Sequence, residues 1–162
     1  MSKVPTSPER KARQLARSAA RLAAVQALYQ IEITGADWRG VVREFDQHRL
    51  GAEIEGVKYR EADPEHFRTV VEGVISNQSD IDHLTDRALV ERWPLGRIDA
   101  TLRALFRAAG QEIRSRPDIP TKVIIGEYID IAKAFFEEGK EAKFVNAVLD
   151  HMAREARPEA FS

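Results

Sequence analysis

The chain has 162 residues, a length that suits one domain or two small helical subdomains sharing a core. It contains no cysteine, which excludes disulfides, thiolate chemistry and Cys-ligated zinc. No apolar run approaches the roughly 18 residues of a membrane span, so we expect a cytoplasmic protein that does not contact membranes.

The first predicted helix follows a flexible tail of residues 1–6 and carries a stripe of arginines. Ser7 and Pro8 form its expected start, and Gly35 its expected end. At about 100° per residue, four arginines fall inside one sector of roughly 80°, which we expect to be exposed. These are Arg10, Arg13, Arg17 and Arg21. The opposite side is the expected buried face, formed by Leu15, Ala19, Leu22, Tyr29 and Ile33.

Charge is distributed unevenly along the chain, although the net charge is only −1. Residues 1–21 hold six basic side chains against Glu9, a net charge of +5, which leaves −6 for residues 22–162. Cations near a helix N-terminus are disfavoured by the helix dipole. The pattern therefore indicates an anionic partner such as a polyphosphate, and a solvated face without a ligand explains it equally well.

Helical spacing predicts six further helices and no convincing strand. The second begins at Asp37, and an irregular loop covers residues 48–62. The third begins at Asp63, the fourth at Ser79 and the fifth near Ile98. The sixth covers residues 121–138, and its broad apolar surface is typical of a central helix. The seventh ends before Pro158, so residues 158–162 form an expected tail.

Chemistry-bearing residues do not form a catalytic or metal-binding pattern. The four histidines lie on separate elements, and no phosphate-binding loop or activated nucleophile is present. We therefore predict a binding protein without catalytic residues, cofactor or metal. Cations combined with aromatic side chains at helix edges are typical of proteins that bind single-stranded RNA.

Phe144, beside Lys143, is the best candidate for stacking on a base. Phe136 borders the apolar face of its helix whereas Phe135 falls within it, so the helical wheel favours Phe136 as the exposed ring. The alternative is that these rings fill the seams between helices.

Three segments carry a resemblance to a known family. The segment from Asp118 to Lys133, DIPTKVIIGEYIDIAK, is followed by KFVNAVLD at residues 143–150, and AVQALYQ covers residues 24–30. This combination resembles the bacterial transcription antitermination factors of the NusB family. The sequence FFEEG at residues 135–139 is similar to the alphaproteobacterial branch.

The resemblance implies an all-α fold of seven helices in two packed bundles, the first three helices in one and the last four in the other. We expect one domain over residues 7–157, with subdomains of about 7–80 and 81–157. The resemblance also implies binding of the boxA element of nascent RNA together with NusE, a small-subunit ribosomal protein. The pair joins NusA, NusG and RNA polymerase and promotes read-through, notably of ribosomal RNA operons.

Carried over by residue, the resemblance implies two RNA-binding surfaces. Arg17 and Arg21 on the first helix contact phosphates, with Gln26 and Tyr29 in the matching motif. Arg10, Lys11 and Arg13 extend that surface upstream, compensating for the gap at residues 18–20 where some relatives have arginines. The second surface comprises Phe135, Lys143 and Phe144.

Three points remain open from the sequence. Gln111 stands where an aromatic residue is expected, which puts partner contacts there in doubt. A similar helical domain precedes some ribosomal RNA methyltransferases, so an accessory module of a separate methyltransferase is the alternative function. Self-association, including a homodimer that hides the arginines, is a third possibility.

Overall fold

The computed structural model describes residues 7–48, 53–54, 57–58, 62–89, 98–136 and 140–161. Its helices are α1 (Pro8–Thr34), α2 (Trp38–His48), α3 (Pro64–Ala88), α4 (Ala100–Ser115), α5 (Thr121–Phe135) and α6 (Lys140–Ala156). The predicted all-α class is confirmed. The expected tail of residues 1–6 lies outside the described residues.

Local capping signals set the ends of the N-terminal helices. Ser7 accepts a hydrogen bond from the backbone N–H of Arg10, and Asp63 accepts one from His66, each at the start of a helix with proline in its first turn. Gly35 ends α1 in the left-handed region at φ 68°, where glycine has no steric penalty. The predicted starts of α1 and α3 and the end of α1 are confirmed.

The predicted third and fourth helices follow each other without a connecting loop and together form α3, so the described residues form six α-helices instead of seven. A kink at Asn77 separates its halves, with φ −125° and ψ 19°. The Asn77 side chain donates to the carbonyl of Gly73 one turn earlier, and such competition for backbone hydrogen bonds bends a helix. The helix start expected at Ser79 lies two residues beyond this non-helical residue.

Two short elements depart from the sequence prediction. In the expected loop of residues 48–62, β1 (Glu53–Ile54) pairs antiparallel with β2 (Val57–Lys58), with Glu53 opposite Lys58. Pro158–Phe161 forms a 3₁₀ helix instead of an irregular tail, and Arg154 lies over the Phe161 ring at 4.5 Å.

The most buried helix is α4, and the prediction that the helix beginning at Thr121 is central was wrong. Ten of the 16 residues of α4 are buried, against four of the 15 in α5. Small residues let neighbours approach α4 closely, and Gly110 is so near Ile81 that a Cβ there would lie 2.7 Å from its Cγ2. The broad apolar surface of α5 includes Val123, which is 46% exposed.

Arg157, just after α6, forms hydrogen bonds with the backbone at the C-terminal end of α4 and just beyond it. Its guanidinium donates to the carbonyl oxygens of Glu112, Ile113, Arg116 and Ile119 at 2.7–3.1 Å. Residue 117 is a proline, so no helical N–H is available to the carbonyl of Ile113. The carbonyls of Glu112 and Arg116 accept the Arg157 bonds in addition to backbone N–H bonds. A cation at this end also interacts favourably with the helix dipole. Within the described residues, no helix combines the length and apolarity needed to cross a bilayer.

Candidate nucleic-acid interface

The orientation of α1 is the reverse of the one predicted. The buried side of α1 is built mainly from alanines, at positions 20, 23, 24 and 27, together with Val25 and Leu28. By helical spacing, positions 20, 24 and 28 share a sector with Arg17 and Arg21. The arginine sector therefore faces the protein body, whereas Tyr29 and Ile33 are 40% and 57% exposed.

Arg21 is the clearest correction, because it is only 2% exposed and cannot reach a ligand in this structure. Its Nε lies 2.9 Å from Oε2 of Glu112 on α4, and its Nη2 lies 3.0 Å from Oε1. A buried guanidinium needs a paired anion because desolvation of an isolated charge is costly. Glu112, itself fully buried, supplies that anion.

Two further side chains complete the buried cluster around Glu112. The Tyr128 hydroxyl on α5 donates to Oε2, and His66 Nε2 on α3 lies 3.0 Å from Oε1. Burial by itself raises the pKa of Glu112, but the close contact of His66 Nε2 and the hydrogen bonds and charge of Arg21 outweigh it and hold the pKa at about 2. Burial, and then the Glu112 charge, raises the pKa of Tyr128 well above its usual value. The cluster joins α1, α3, α4 and α5.

The cations at the start of α1 remain accessible. Arg10, Lys11 and Arg13 are exposed, and Arg17 is partly buried. Among the residues that the structure describes, these four side chains form no ion pair. The pKa of Asp118 is lowered to about 2, mainly by hydrogen bonds from Arg116 and to a smaller extent by the charge of Arg17.

A groove beside α1 brings together three residues that the family resemblance singled out. Gln26, Tyr29 and Phe135 line an open cleft of about 340 Å³. The other lining residues are Val25, Gln30, Ile33, Thr34 and Thr101. Three of the four large hydrophobic side chains most exposed in the described part of the chain lie here, namely Tyr29, Ile33 and Phe135. A groove that presents aromatic rings to solvent can stack planar groups.

The preference for Phe136 as the exposed ring was wrong. Phe135 is 39% exposed, whereas Phe136 is partly buried and packs against the core. The helix ends at Phe135, and Phe136 has extended backbone angles of φ −127° and ψ 108°. The helical wheel does not apply beyond the last helical residue, so it misplaced this ring.

The second predicted surface is partly engaged within the protein. Lys143 is exposed, but Phe144 is partly buried and packs edge-on against Phe106 with ring centroids 5.9 Å apart. Phe144 does not line the groove of Phe135. The Phe144 ring therefore packs in the seam between helices, as the alternative interpretation held.

Gln111 belongs to the interior. It is 8% exposed and donates to the Ser115 hydroxyl. Its amide fills the space beside Gly73, where a Cβ would lie 2.0 Å from the Gln111 nitrogen. Gln111 is therefore a packing residue in this structure and not a surface contact.

Sequence reasoning missed Glu112, His66, Tyr128 and the partly exposed pair Ser18 and Glu127. A signal was present for Glu112, since it is an acid between the buried residues of an otherwise apolar helix face. Its partners come from helices far apart in sequence, so no local pattern could have identified them.

These features define an all-helical protein with a cationic end on its first helix and an aromatic groove further along the same helix, a class suited to a flexible polyanion with aromatic bases. Comparison with known proteins narrows the class. The profile described as "NusB family" matches residues 18–154. A curated relative from Agrobacterium fabrum, "Transcription antitermination protein NusB", is 54% identical over 144 residues, covering 89% of this chain and 87% of the relative. The chain belongs to the NusB family.

Solved structures agree with this assignment. "T. maritima NusB, P3121, Form 2" is 34% identical with a TM-score of 0.71, covering 90% of this chain and 96% of that one. "Crystal Structure of Antitermination Factors NusB and NusE in complex with dsRNA" shares the fold at 20% identity, with a TM-score of 0.69 and coverage of 86% and 97%.

Proposed function

We propose that this chain is an RNA-binding transcription antitermination factor that binds boxA-type single-stranded RNA together with NusE. In this role it promotes read-through by RNA polymerase, notably of ribosomal RNA operons, within a complex that includes NusA and NusG. It acts in the cytoplasm by binding and not by catalysis. Family membership supports this function, as does the name of the solved complex of NusB, NusE and RNA.

The observation that carries the proposal is the groove where Gln26, Tyr29 and Phe135 meet, on the same helix as the accessible cations. From Arg17 to Tyr29 the helix rises about 18 Å, at roughly 1.5 Å per residue. A flexible strand can place its phosphates near the cations and its bases near the rings. The cations then supply salt-dependent affinity, and the rings supply stacking.

The proposed RNA-binding residues are revised from the sequence prediction. Phosphates are contacted by Arg10, Lys11, Arg13 and Arg17, and Gln26, Tyr29 and Phe135 bind bases in the groove. Lys143 adds an exposed cation next to the partly exposed Phe144. Arg21 leaves the set because its guanidinium is occupied by Glu112, and Phe136 leaves it because it packs against the core.

The test is the salt dependence of binding to a boxA-type RNA, measured by fluorescence anisotropy. Arg13→Ala combined with Arg17→Ala removes two phosphate contacts, so the slope of log K against log salt becomes shallower by about 1.4. A matched control, Arg39→Ala with Arg43→Ala, removes the same charge from exposed positions on α2.

The control leaves the slope close to the wild-type value. An equal change in both double variants contradicts a phosphate site on α1 and indicates only an effect of net charge. Equal affinity of the wild type for boxA RNA and an unrelated RNA of the same length contradicts the boxA assignment.

A further inference from the structure

A carboxylate lies between the cations of α1 and the aromatic groove, where a bound strand would pass. The Ser18 hydroxyl on α1 lies 2.9 and 2.8 Å from the two carboxylate oxygens of Glu127 on α5. Arg21 Nη1 lies 3.6 Å from Oε1 of the same carboxylate. The Glu127 side chain is 27% exposed and can be reached from solvent.

Glu127 and the groove lie along the same seam between α1 and α5. Ser18 faces Glu127 at one point of the seam, and Tyr29 and Phe135 meet further along both helices. The two helices therefore run in the same direction here. Glu127 precedes Phe135 by eight residues, or about 12 Å of helix.

The hydrogen-bonding capacity of Glu127 is incompletely used by the protein. Ser18 has one hydroxyl proton, and the carbonyl oxygen of Gln14 lies 3.0 Å away as a competing acceptor. A carboxylate offers about four lone-pair sites. Arg21 shares its single charge between Glu112 and Glu127, so the three groups together keep a net negative charge.

A carboxylate in this position discriminates among the parts of an RNA strand. It repels phosphate, and it accepts hydrogen bonds from N–H groups such as the exocyclic amino groups of cytosine, guanine and adenine. Uracil has no amino group, and at the position where cytosine carries its N4 amino group it presents the O4 carbonyl, an acceptor like the carboxylate. Its N3–H is a donor at a different position, so the discrimination applies to a carboxylate placed against the amino position. The nearby cations bind the RNA phosphates, and the carboxylate favours a base that has an amino group.

We propose that Glu127 is a specificity-determining residue that accepts a hydrogen bond from the amino group of one RNA base in the seam between α1 and α5. This inference rests on the proposed RNA-binding function. It assigns to Glu127 the selection of an amino-bearing base over uracil at one position of the bound strand.

The test is a scan of a boxA-type RNA of about 12 nucleotides in which single amino groups are removed. Each cytidine is replaced in turn by uridine, each guanosine by inosine and each adenosine by purine riboside. For the wild type, one replacement lowers affinity about tenfold, as expected for a hydrogen bond to a charged group. In Glu127→Ala the same replacement lowers affinity less than twofold.

Two further variants are included, a matched control at a different carboxylate and a conservative substitution of Glu127. Asp130→Ala removes an exposed carboxylate from the same helix, and it raises affinity for all the RNAs uniformly without changing their order. Glu127→Gln keeps an oxygen acceptor for Ser18 and removes only the charge, so if Glu127→Ala fails to fold, the same replacement should lower the affinity of Glu127→Gln by clearly less than tenfold, as expected for a hydrogen bond to a neutral group.

An unchanged scan in both Glu127 variants overturns the role of Glu127 while leaving the RNA-binding function intact. A wild type that binds boxA-type and unrelated RNA equally overturns the proposed function itself, and this inference with it.

Discussion

Replacement of Arg21 by methionine separates a structural role from an RNA contact. Methionine approximates the length of arginine without its charge, so the substitution leaves the fully buried carboxylate of Glu112 without its cation. Breaking a buried ion pair in this way costs about 3–5 kcal/mol. We expect about 3 kcal/mol, the lower end, because Tyr128 and His66 still contact Glu112.

For a chain of this size, about 3 kcal/mol corresponds to a fall in the melting temperature of roughly 6–12 °C. Thermal unfolding followed by circular dichroism measures it. The double variant Arg21→Met with Glu112→Leu should recover only part of the loss. It removes the unpaired carboxylate, but it leaves the buried Tyr128 hydroxyl without its acceptor.

RNA binding by the folded Arg21→Met variant tests the alternative role, in which Arg21 contacts an RNA phosphate. The salt slope should match that of the wild type, because Arg21 contributes no phosphate contact. A slope shallower by about 0.7 with an unchanged melting temperature would refute the structural role and restore Arg21 as a phosphate ligand.

Three further predictions concern the pH dependence of stability, the hydrogen bonds of Arg157 and RNA binding in the groove. The pKa of Glu112 is lowered from 4.5 to about 2, so its contribution, on the order of 3 kcal/mol, is complete above pH 4.5 and lost as pH falls towards 2. Urea unfolding at pH 6 and pH 3 measures the loss. If the free energy of unfolding of Glu112→Gln differs between the two pH values as much as that of the wild type, the loss belongs to other groups. Arg157→Ala should cost about 3 kcal/mol by leaving the carbonyls of Ile113 and Ile119 without the Arg157 donor, with partial recovery in Arg157→Lys; a loss below 1 kcal/mol in chemical denaturation would show that these hydrogen bonds contribute little. Tyr29→Ala and Phe135→Ala should each weaken RNA binding by about 1–3 kcal/mol at nearly constant stability, and undiminished affinity in both would exclude stacking in the groove.

The elements that sequence reasoning located correctly are those governed by neighbouring residues. The Ser7 cap, the Asp63–Pro64 start and the left-handed Gly35 depend on backbone groups no more than four residues away. The boundary expected at Ser79 lies beside the kink at Asn77, where the two halves of α3 meet without a loop, because a side chain that competes for backbone hydrogen bonds occurs both at helix ends and inside bent helices.

The facing of α1 could not be predicted from its own residues. One side of α1 carries alanines, the opposite side carries leucines and a tyrosine, and both sides are apolar. The helical wheel therefore favoured the side with the larger apolar residues as the buried face. Alanines allow close helix approach, so α1 packs on α3 and α4 through its smaller side chains. That choice turns Arg21 inward, and it is stable only because Glu112, 91 residues further along the chain, supplies the anion.

The sequence by itself determined the helical class, the cationic start of α1 and the family, because periodicity, capping and motifs are properties of contiguous residues. Only the tertiary structure decided which arginines are available to a ligand, which of the two adjacent phenylalanines is exposed and how the groove is assembled. These outcomes depend on how helices distant in sequence bury one another's charges and rings. The arginine stripe therefore divides in two, with accessible cations at its start and a buried structural ion pair at Arg21.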